Sequence, residues 1–188
     1  MARDPSEVSA INTTLYFETP EDQEEIRVRG RAKFERGEVS KEALELGQKF
    51  KQLITSSYIP KVSVRFVNDK VGLGLFAEEN LAIGSYVGEY TGCVRRNDRR
   101  YFEPMNNYCY EYPVPDEIGR SFVIDATQGN LTRLINHSFQ PNLRPVHVFF
   151  DDFYHLIFVV IREIYKGDQL CYNYGTSYWS VRGSPVSI

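Results

Sequence analysis

Cysteine, histidine and tryptophan are scarce in this chain of 188 residues: three, three and one. The cysteines, Cys93, Cys109 and Cys171, form no Cys-x-x-Cys pair, and three cannot all pair. This argues against a disulfide framework or a zinc knuckle and reads as reduced thiols in an intracellular protein. Long apolar runs are missing as well. The longest, Leu156–Ile161, has six residues, the length of a buried strand rather than of a helical membrane span. An excess of positive charge is also lacking. Lys and Arg number 22 against 25 Asp and Glu, a net charge of −3, which argues against broad nucleic-acid backbone binding and leaves room for a basic protein partner. The first residues, Met-Ala-Arg-Asp-Pro-Ser-Glu, show no apolar core of a signal peptide, so the expectation is a soluble intracellular protein. Export by a route without such a signal stays open.

Aromatic residues are plentiful: 13 Tyr and 12 Phe accompany a hydrophobic content of 42%. Disorder throughout is thereby excluded, and the length suits one domain with an extension. Residues 18–25 hold five acids in eight positions and read as a solvated loop, or as a dock for a basic partner. Residues 40–56 read as the one long helix, with Ser40 as N-cap and Ala43, Leu46, Phe50, Leu53 and Ile54 on one face. After Pro60 the pattern turns to short β runs: Val62–Phe66, Ser85–Tyr90, Phe122–Asp125, His147–Phe150, Leu156–Ile161 and Leu170–Tyr174. The expected fold is mainly β, with a partly helical N-terminal extension over 1–60, a domain over 61–175 and a short aromatic tail over 176–188.

Three segments carry chemistry. Gly72-Leu-Gly-Leu-Phe-Ala77 fits Gly-x-Gly-x-x-Ala, with Glu89 near the distance of a ribose-binding acid. The helix that a dinucleotide site needs does not follow, because Gly84, Gly88 and Gly92 interrupt the next stretch. A turn bringing backbone close to a ligand is the better reading. Arg133–Asn142 places Asn136-His137-Ser138 after an apolar pair and before Pro-Asn; the Asn and His carry donors and acceptors suited to a ligand edge. His137 lacks partners at zinc-ligand spacing, so no metal site is expected, and Ser138 lacks a nucleophile elbow. His147 and His155 read as surface or satisfied core. Finally, Gly167–Gly175 puts Tyr172 and Tyr174 on one strand face, as a channel lining or as cross-strand packing.

Together these segments resemble the SET-domain protein lysine methyltransferases, from about Val62 to Trp179. Gly72-Leu73-Gly74 is similar to the Gly-x-Gly turn and Glu89-Tyr90-Thr-Gly92 to Glu-Tyr-x-Gly. Arg133–Asn142 is similar to Arg-Phe-Ile-Asn-His-Ser-x-x-Pro-Asn, with Leu134 for Phe, and Asp168–Tyr174 to Glu-Leu-x-Phe-Asp-Tyr, with Asn173 for Asp. The resemblance implies a β-clip SET fold with a C-terminal pseudoknot beside Asn136-His137. It implies S-adenosylmethionine as cofactor, held by Gly72, Leu73, Gly74, Tyr110, Asn136, His137 and Trp179. It implies a catalytic Tyr174, a pocket Tyr90, and Tyr172 at the position that tunes methyl number, where a tyrosine favours mono- or dimethylation. The expected substrate is a histone or another basic protein, which would place the enzyme in the nucleus or on chromatin, also as a bacterial protein acting in a host. The family's cysteine-rich modules are absent, so Tyr178-Trp179 and the tail are expected to complete the lysine channel, a layout like compact bacterial or viral SET proteins. Arg95-Arg96-Asn-Asp-Arg99-Arg100 falls in the variable insert and reads as a solvated face or a substrate contact. Glu89, Glu111, Asp116 and Glu117 are expected to attract a basic tail. A silent module that binds basic peptides, and methylation of a non-histone protein, are the competing readings.

Overall fold

The computed structural model describes residues 13–97, 106–116, 118–180 and 182–183. Strand β1 (Tyr16–Phe17) precedes two helices, α1 (Pro20–Glu35) and α2 (Lys41–Thr55). The strands that follow are β2 (Val62–Asn68), β3 (Gly72–Ala77), β4 (Tyr86–Glu89), β5 (Cys93–Arg96), β6 (Cys109–Pro115) and β7 (Ser121–Asp125). Two 3-10 turns, Ala126–Gln128 and Leu131–Leu134, lead to β8 (Asn136–His137). Strands β9 (Leu143–Phe150), β10 (Phe153–Val160) and β11 (Cys171–Tyr172) complete the sheets, and a single helical turn, α3 (Thr176–Ser180), follows.

The strands form small sheets, in the orders β1-β5-β7-β6, β4-β10-β9, β11-β8 and β2-β3. The apolar side chains of these sheets meet in one main core, which includes Leu75, Val87, Phe122, Ile124, Leu156 and Phe158. This is the mainly β architecture expected from the short apolar runs. The Asn68 turn joins β2 and β3 as an antiparallel hairpin. Its Oδ1 accepts from the Lys70 and Val71 amides, so the asparagine side chain closes the turn. The β9–β10 hairpin pairs without interruption from Phe150–Phe153 to Leu143–Val160. Its two-residue turn, Asp151-Asp152, has φ of 50° and 71°, matching the right-handed strand twist.

The N-terminal segment holds two long helices, not one. The acidic run 18–25, expected as a loop, begins α1. The Thr19 hydroxyl accepts from the Asp22 amide at 3.0 Å, Pro20 occupies the first turn, and Glu21 and Asp22 face the positive helix end. The helix escaped the periodicity argument because its buried stripe is only Asp22, Ile26 and Gly30, while Val28 and Phe34 are exposed. Helix α2 starts as expected, with Ser40 Oγ accepting from the Ala43 amide at 3.1 Å. It lies along β9, burying Phe50 and Ile54 against Val146 and Val148. Gly47 sits so close to the Phe149 carbonyl that a Cβ there would collide with backbone. Lys51 pairs with Asp151 at 2.6 Å and Arg31 pairs with Asp152, which fastens both helices to the hairpin turn.

Arg95 and Arg96, expected on a solvated face or at a substrate contact, are both engaged in ion pairs; Arg95 is buried and Arg96 is half-buried. Arg95 reaches Asp125 at 3.0 Å. Arg96 reaches Asp22 at 2.9 Å, Glu25 at 2.6 Å and Asp116 at 3.1 Å, so one guanidinium joins α1 to β5 and to the end of β6. Asn97 is the last described residue before the gap, and Arg99 and Arg100 lie outside the described residues. Asp22 and Asp116 are buried, and a buried carboxylate is tolerated only with a partner. Arg96→Met removes the cation shared by Asp22, Glu25 and Asp116, while Asp116 keeps Arg120, and it is expected to lower stability by about 1–3 kcal/mol. Urea unfolding against the parent chain checks it; a midpoint unchanged within error contradicts it.

Candidate active site

The site is built by a contact between segments far apart in the chain. Strand β11 runs parallel to β8, pairing Cys171 with Asn136 and Tyr172 with His137. The Ser138 amide donates to Tyr172 O at 3.0 Å. Asn142 then locks the return. Its Oδ1 accepts from the Cys171 amide at 2.9 Å, and its Nδ2 donates to Gln169 O at 2.9 Å. An asparagine carries the donor and acceptor that this double bridge needs. Beyond the strand pair, the Tyr174 amide donates to His137 Nδ1 at 3.1 Å and the Tyr174 hydroxyl donates to Ile135 O at 2.8 Å.

Strand β3 abuts this pair. Asn136 Nδ2 donates to Leu73 O at 3.0 Å, tying Gly72-Leu73-Gly74 to the Asn-His step. A Cβ on Gly74 would lie 2.6 Å from Gln169 Nε2 and 2.9 Å from Asn136 Nδ2. The glycine therefore lets those two amides come down onto the strand. Of the four buried side-chain atoms without a hydrogen-bond partner among the described residues, three are here: His137 Nε2, Gln169 Nε2 and Trp179 Nε1.

Aromatic rings line the rest. Tyr172 lies 5.0 Å from Phe158 and 4.6 Å from Tyr174, between ring centroids. Tyr174 is 4.7 Å from Tyr178, and Trp179 is 5.0 Å from His137. Tyr90 contacts Phe158 at 6.2 Å and Tyr110 at 6.1 Å, and its hydroxyl donates to Tyr108 O at 2.8 Å. Phe139 is exposed, with its ring edge-on to His137 at 4.8 Å.

The electrostatics are those of a dry, neutral site. Burial raises the pKa of Tyr90, Tyr110, Tyr172 and Tyr174, and the neighbouring phenols raise Tyr90 and Tyr174 further. All four stay protonated near neutral pH, and none serves as an anionic base. Burial lowers the pKa of His137. Because Nδ1 of this neutral imidazole accepts from the Tyr174 amide, the proton sits on Nε2, a buried donor without a partner among the described residues. Leaving a buried donor unmatched costs about 1–3 kcal/mol.

A model of the SET domain matches residues 72–175, more than half of the chain. The chain belongs to the SET-domain family. It is 32% identical over 122 residues to histone-lysine N-methyltransferase EHMT1 of Mus musculus, covering 62% of this chain and 9% of that protein. It is 34% identical over 116 residues to histone-lysine N-methyltransferase EZH2 of Chaetomium thermophilum, covering 57% and 8%. It is 32% identical over 131 residues to N-lysine methyltransferase KMT5A-A of Danio rerio, covering 65% and 38%. The fold is similar to a solved structure of apo ctPRC2 carrying two substitutions in Ezh2, with a TM-score of 0.55 and 29% identity over 65% of this chain and 16% of that one. The chain thus spans less than two thirds of the length of these relatives. SET-domain methyltransferases use S-adenosylmethionine.

The expected site residues fall into two groups. Gly72, Leu73, Gly74, Asn136, His137 and Trp179 gather around the His137 imidazole and β3. Tyr90 and Tyr172 gather around Phe158 and Tyr110 packs on Tyr90, with Tyr174 joining the groups. Tyr110 sits on the Tyr90 side of the SET site, edge-on to His147 at 5.7 Å. Two of the acids expected to draw a basic tail are internal. Glu89 is buried 2.6 Å from His155 Nδ1, and Asp116 is held by Arg96 and Arg120. Glu111 is exposed, and Glu117 lies outside the described residues. The backbone carbonyls of Ile135 and Tyr108, the Gln169 amide and the Phe139 ring were missed; a carbonyl has no sequence signature, and the other two are unremarkable residues within motifs.

His147 donates through Nε2 to Glu111 O at 3.2 Å, and burial lowers its pKa from 6.5 to about 4. The unfolded chain therefore takes up a proton as pH falls from 6.5 to about 4, and the folded chain does not. Stability is expected to fall across that window and to owe nothing to His147 above it. His147→Gln should flatten that part of a plot of urea midpoint against pH; an unchanged slope contradicts the assignment.

Proposed function

We propose that this chain is an S-adenosylmethionine-dependent protein lysine N-methyltransferase, and that its substrate is a histone or a histone-like basic protein. The observation that carries the reading is the paired commitment of two phenol protons to backbone carbonyls, Tyr174 to Ile135 and Tyr90 to Tyr108. With its proton so engaged, each oxygen is left as an acceptor facing the aromatic cluster.

S-adenosylmethionine, when bound, supplies a methyl group on a sulfonium. The residues present fit it: the Nε2–H of His137 and the Nε1–H of Trp179 are buried donors awaiting acceptors, on rings 5.0 Å apart. Gly72, Leu73, Gly74 and Asn136 form the backing of the same face. The substrate lysine enters among Tyr90, Tyr172, Tyr174 and Tyr178. Its ammonium, with a reference pKa of about 10.4, must lose a proton at a cost of roughly 4–5 kcal/mol near neutral pH. A dry aromatic channel favours that loss, and the nearest acid in sequence, Glu89, is engaged with His155. The two phenol oxygens accept N–H bonds from the neutral amine and so aim its lone pair for in-line attack. No general acid–base pair is required. The Tyr172 hydroxyl takes up room that further methyl groups need, which favours mono- or dimethylation.

Helix α3 supplies the wall that cysteine-rich zinc modules supply in other members, which supports the compact, zinc-free type. Residues 61–175 are the catalytic unit in this reading, with Tyr178 and Trp179 of α3 closing it.

Transfer of labelled methyl from S-adenosylmethionine to core histones, followed by mass spectrometry, tests the proposal. Labelling is expected at lysine, as mono- and dimethyl products, with kcat lowered about 100-fold in Tyr174→Phe. A trimethyl end product overturns the assignment of Tyr172. Label confined to lysate proteins other than histones overturns the substrate, and no label in either overturns the activity.

A further inference from the structure

Arg182 lies outside every motif and beyond the stretch that matches the family. Its side chain nonetheless makes a dense set of contacts. Nε donates to Asn107 Oδ1 at 3.0 Å, Nη2 to Asn106 O at 2.8 Å and Nη1 to Tyr178 O at 3.3 Å. The guanidinium also sits 4.2 Å from the centre of the Tyr178 ring. Three forked hydrogen bonds and a cation–π contact suit arginine and cannot be matched by lysine.

The loop it grips is itself anchored. Asn106 Nδ2 donates to Asp125 Oδ1 at 2.9 Å and to Thr127 Oγ1 at 3.0 Å, and its Oδ1 accepts from the Tyr108 amide at 2.9 Å. Tyr108 then offers the carbonyl that orients the Tyr90 hydroxyl. On its other side Arg182 holds α3, whose Tyr178 and Trp179 rings lie against Tyr174 and His137. One side chain therefore joins α3 to the 106–108 segment, and α3 itself is a single turn with no buried residue to hold it in place.

We propose that Arg182 is a positioning residue: a latch that holds α3 closed over Tyr174 and sets the width of the substrate channel. The inference rests on the activity proposed above for its kinetic consequence only. Without the latch, α3 swings away from the 106–108 loop and carries Tyr178 and Trp179 with it, so substrate and cofactor both bind less well, while Tyr174 keeps its hydrogen bonds to Ile135 and His137.

Trp179 is the chain's only tryptophan, so its fluorescence reports the latch directly. The full chain is compared with Arg182→Ala, Arg182→Lys and the milder Asn107→Ala. Acrylamide quenching of Trp179 is expected to rise about threefold in Arg182→Ala and less in the other two, with the thermal unfolding midpoint unchanged. With core histones as probe, KM is expected to rise about tenfold and kcat to change by less than about threefold. Unchanged quenching in Arg182→Ala overturns the latch, as does a lowered unfolding midpoint with KM unaffected. If the parent chain labels no histone, the proposed activity fails by itself, and the quenching comparison still decides the latch.

Discussion

The parallel pairing of β11 with β8 is the interaction on which the remainder depends. It brings Tyr172 and Tyr174 against Asn136 and His137, residues separated by more than thirty positions in the chain. Closing so long a loop costs entropy, and two short strands cannot offset that cost alone. Asn142, the Tyr174 amide on His137 and the Asn136 amide on Leu73 add hydrogen bonds that draw β3 into the same knot. Each of these side chains is polar and largely buried, so each is held in one orientation by its partners. The geometry of the site is thus a property of the knot rather than of any one motif.

Around the knot the chain places aromatic surface and withholds charge. Phenols that burial keeps neutral, an imidazole that burial keeps neutral, and carboxylates engaged with Arg96, Arg120 or His155 leave an aromatic cluster whose polar atoms are hydrogen-bond acceptors and donors without net charge. Such an environment raises the cost of carrying an ammonium and leaves a neutral amine well accommodated. The charged residues do their work elsewhere, joining α1, β5 and β6 through Arg96 and fastening the hairpin turn to α1 and α2.

What the sequence disclosed followed the range of each signal. Contiguous features were legible: the Ser40 cap, the apolar face of α2, the alternation in β2, and the Gly-Leu-Gly, Asn-His and Tyr-Asn-Tyr segments. Features that depend on a distant partner were not. Helix α1 buries a charged residue and a glycine on either side of Ile26, so no apolar stripe announced it. Arg95, Arg96, Glu89 and Asp116 look like solvated charges until the fold supplies their counter-ions. Arg182 gives no signal at all, since its partners are two carbonyls, a side-chain amide and a ring, and the Asn106 carbonyl and Asn107 amide come from a distant part of the chain.

The β8–β11 pair, with His137 and Tyr174 coupled through one hydrogen bond, is the proposed cofactor-facing element. Amide hydrogen exchange of Ser138 and Tyr174, followed with and without S-adenosylmethionine, tests it most directly. Both amides should be protected in the free chain, and the ligand should slow both by the same factor, because they open together. Independent exchange of the two amides, or protection by the ligand elsewhere with both unaffected, would contradict the account.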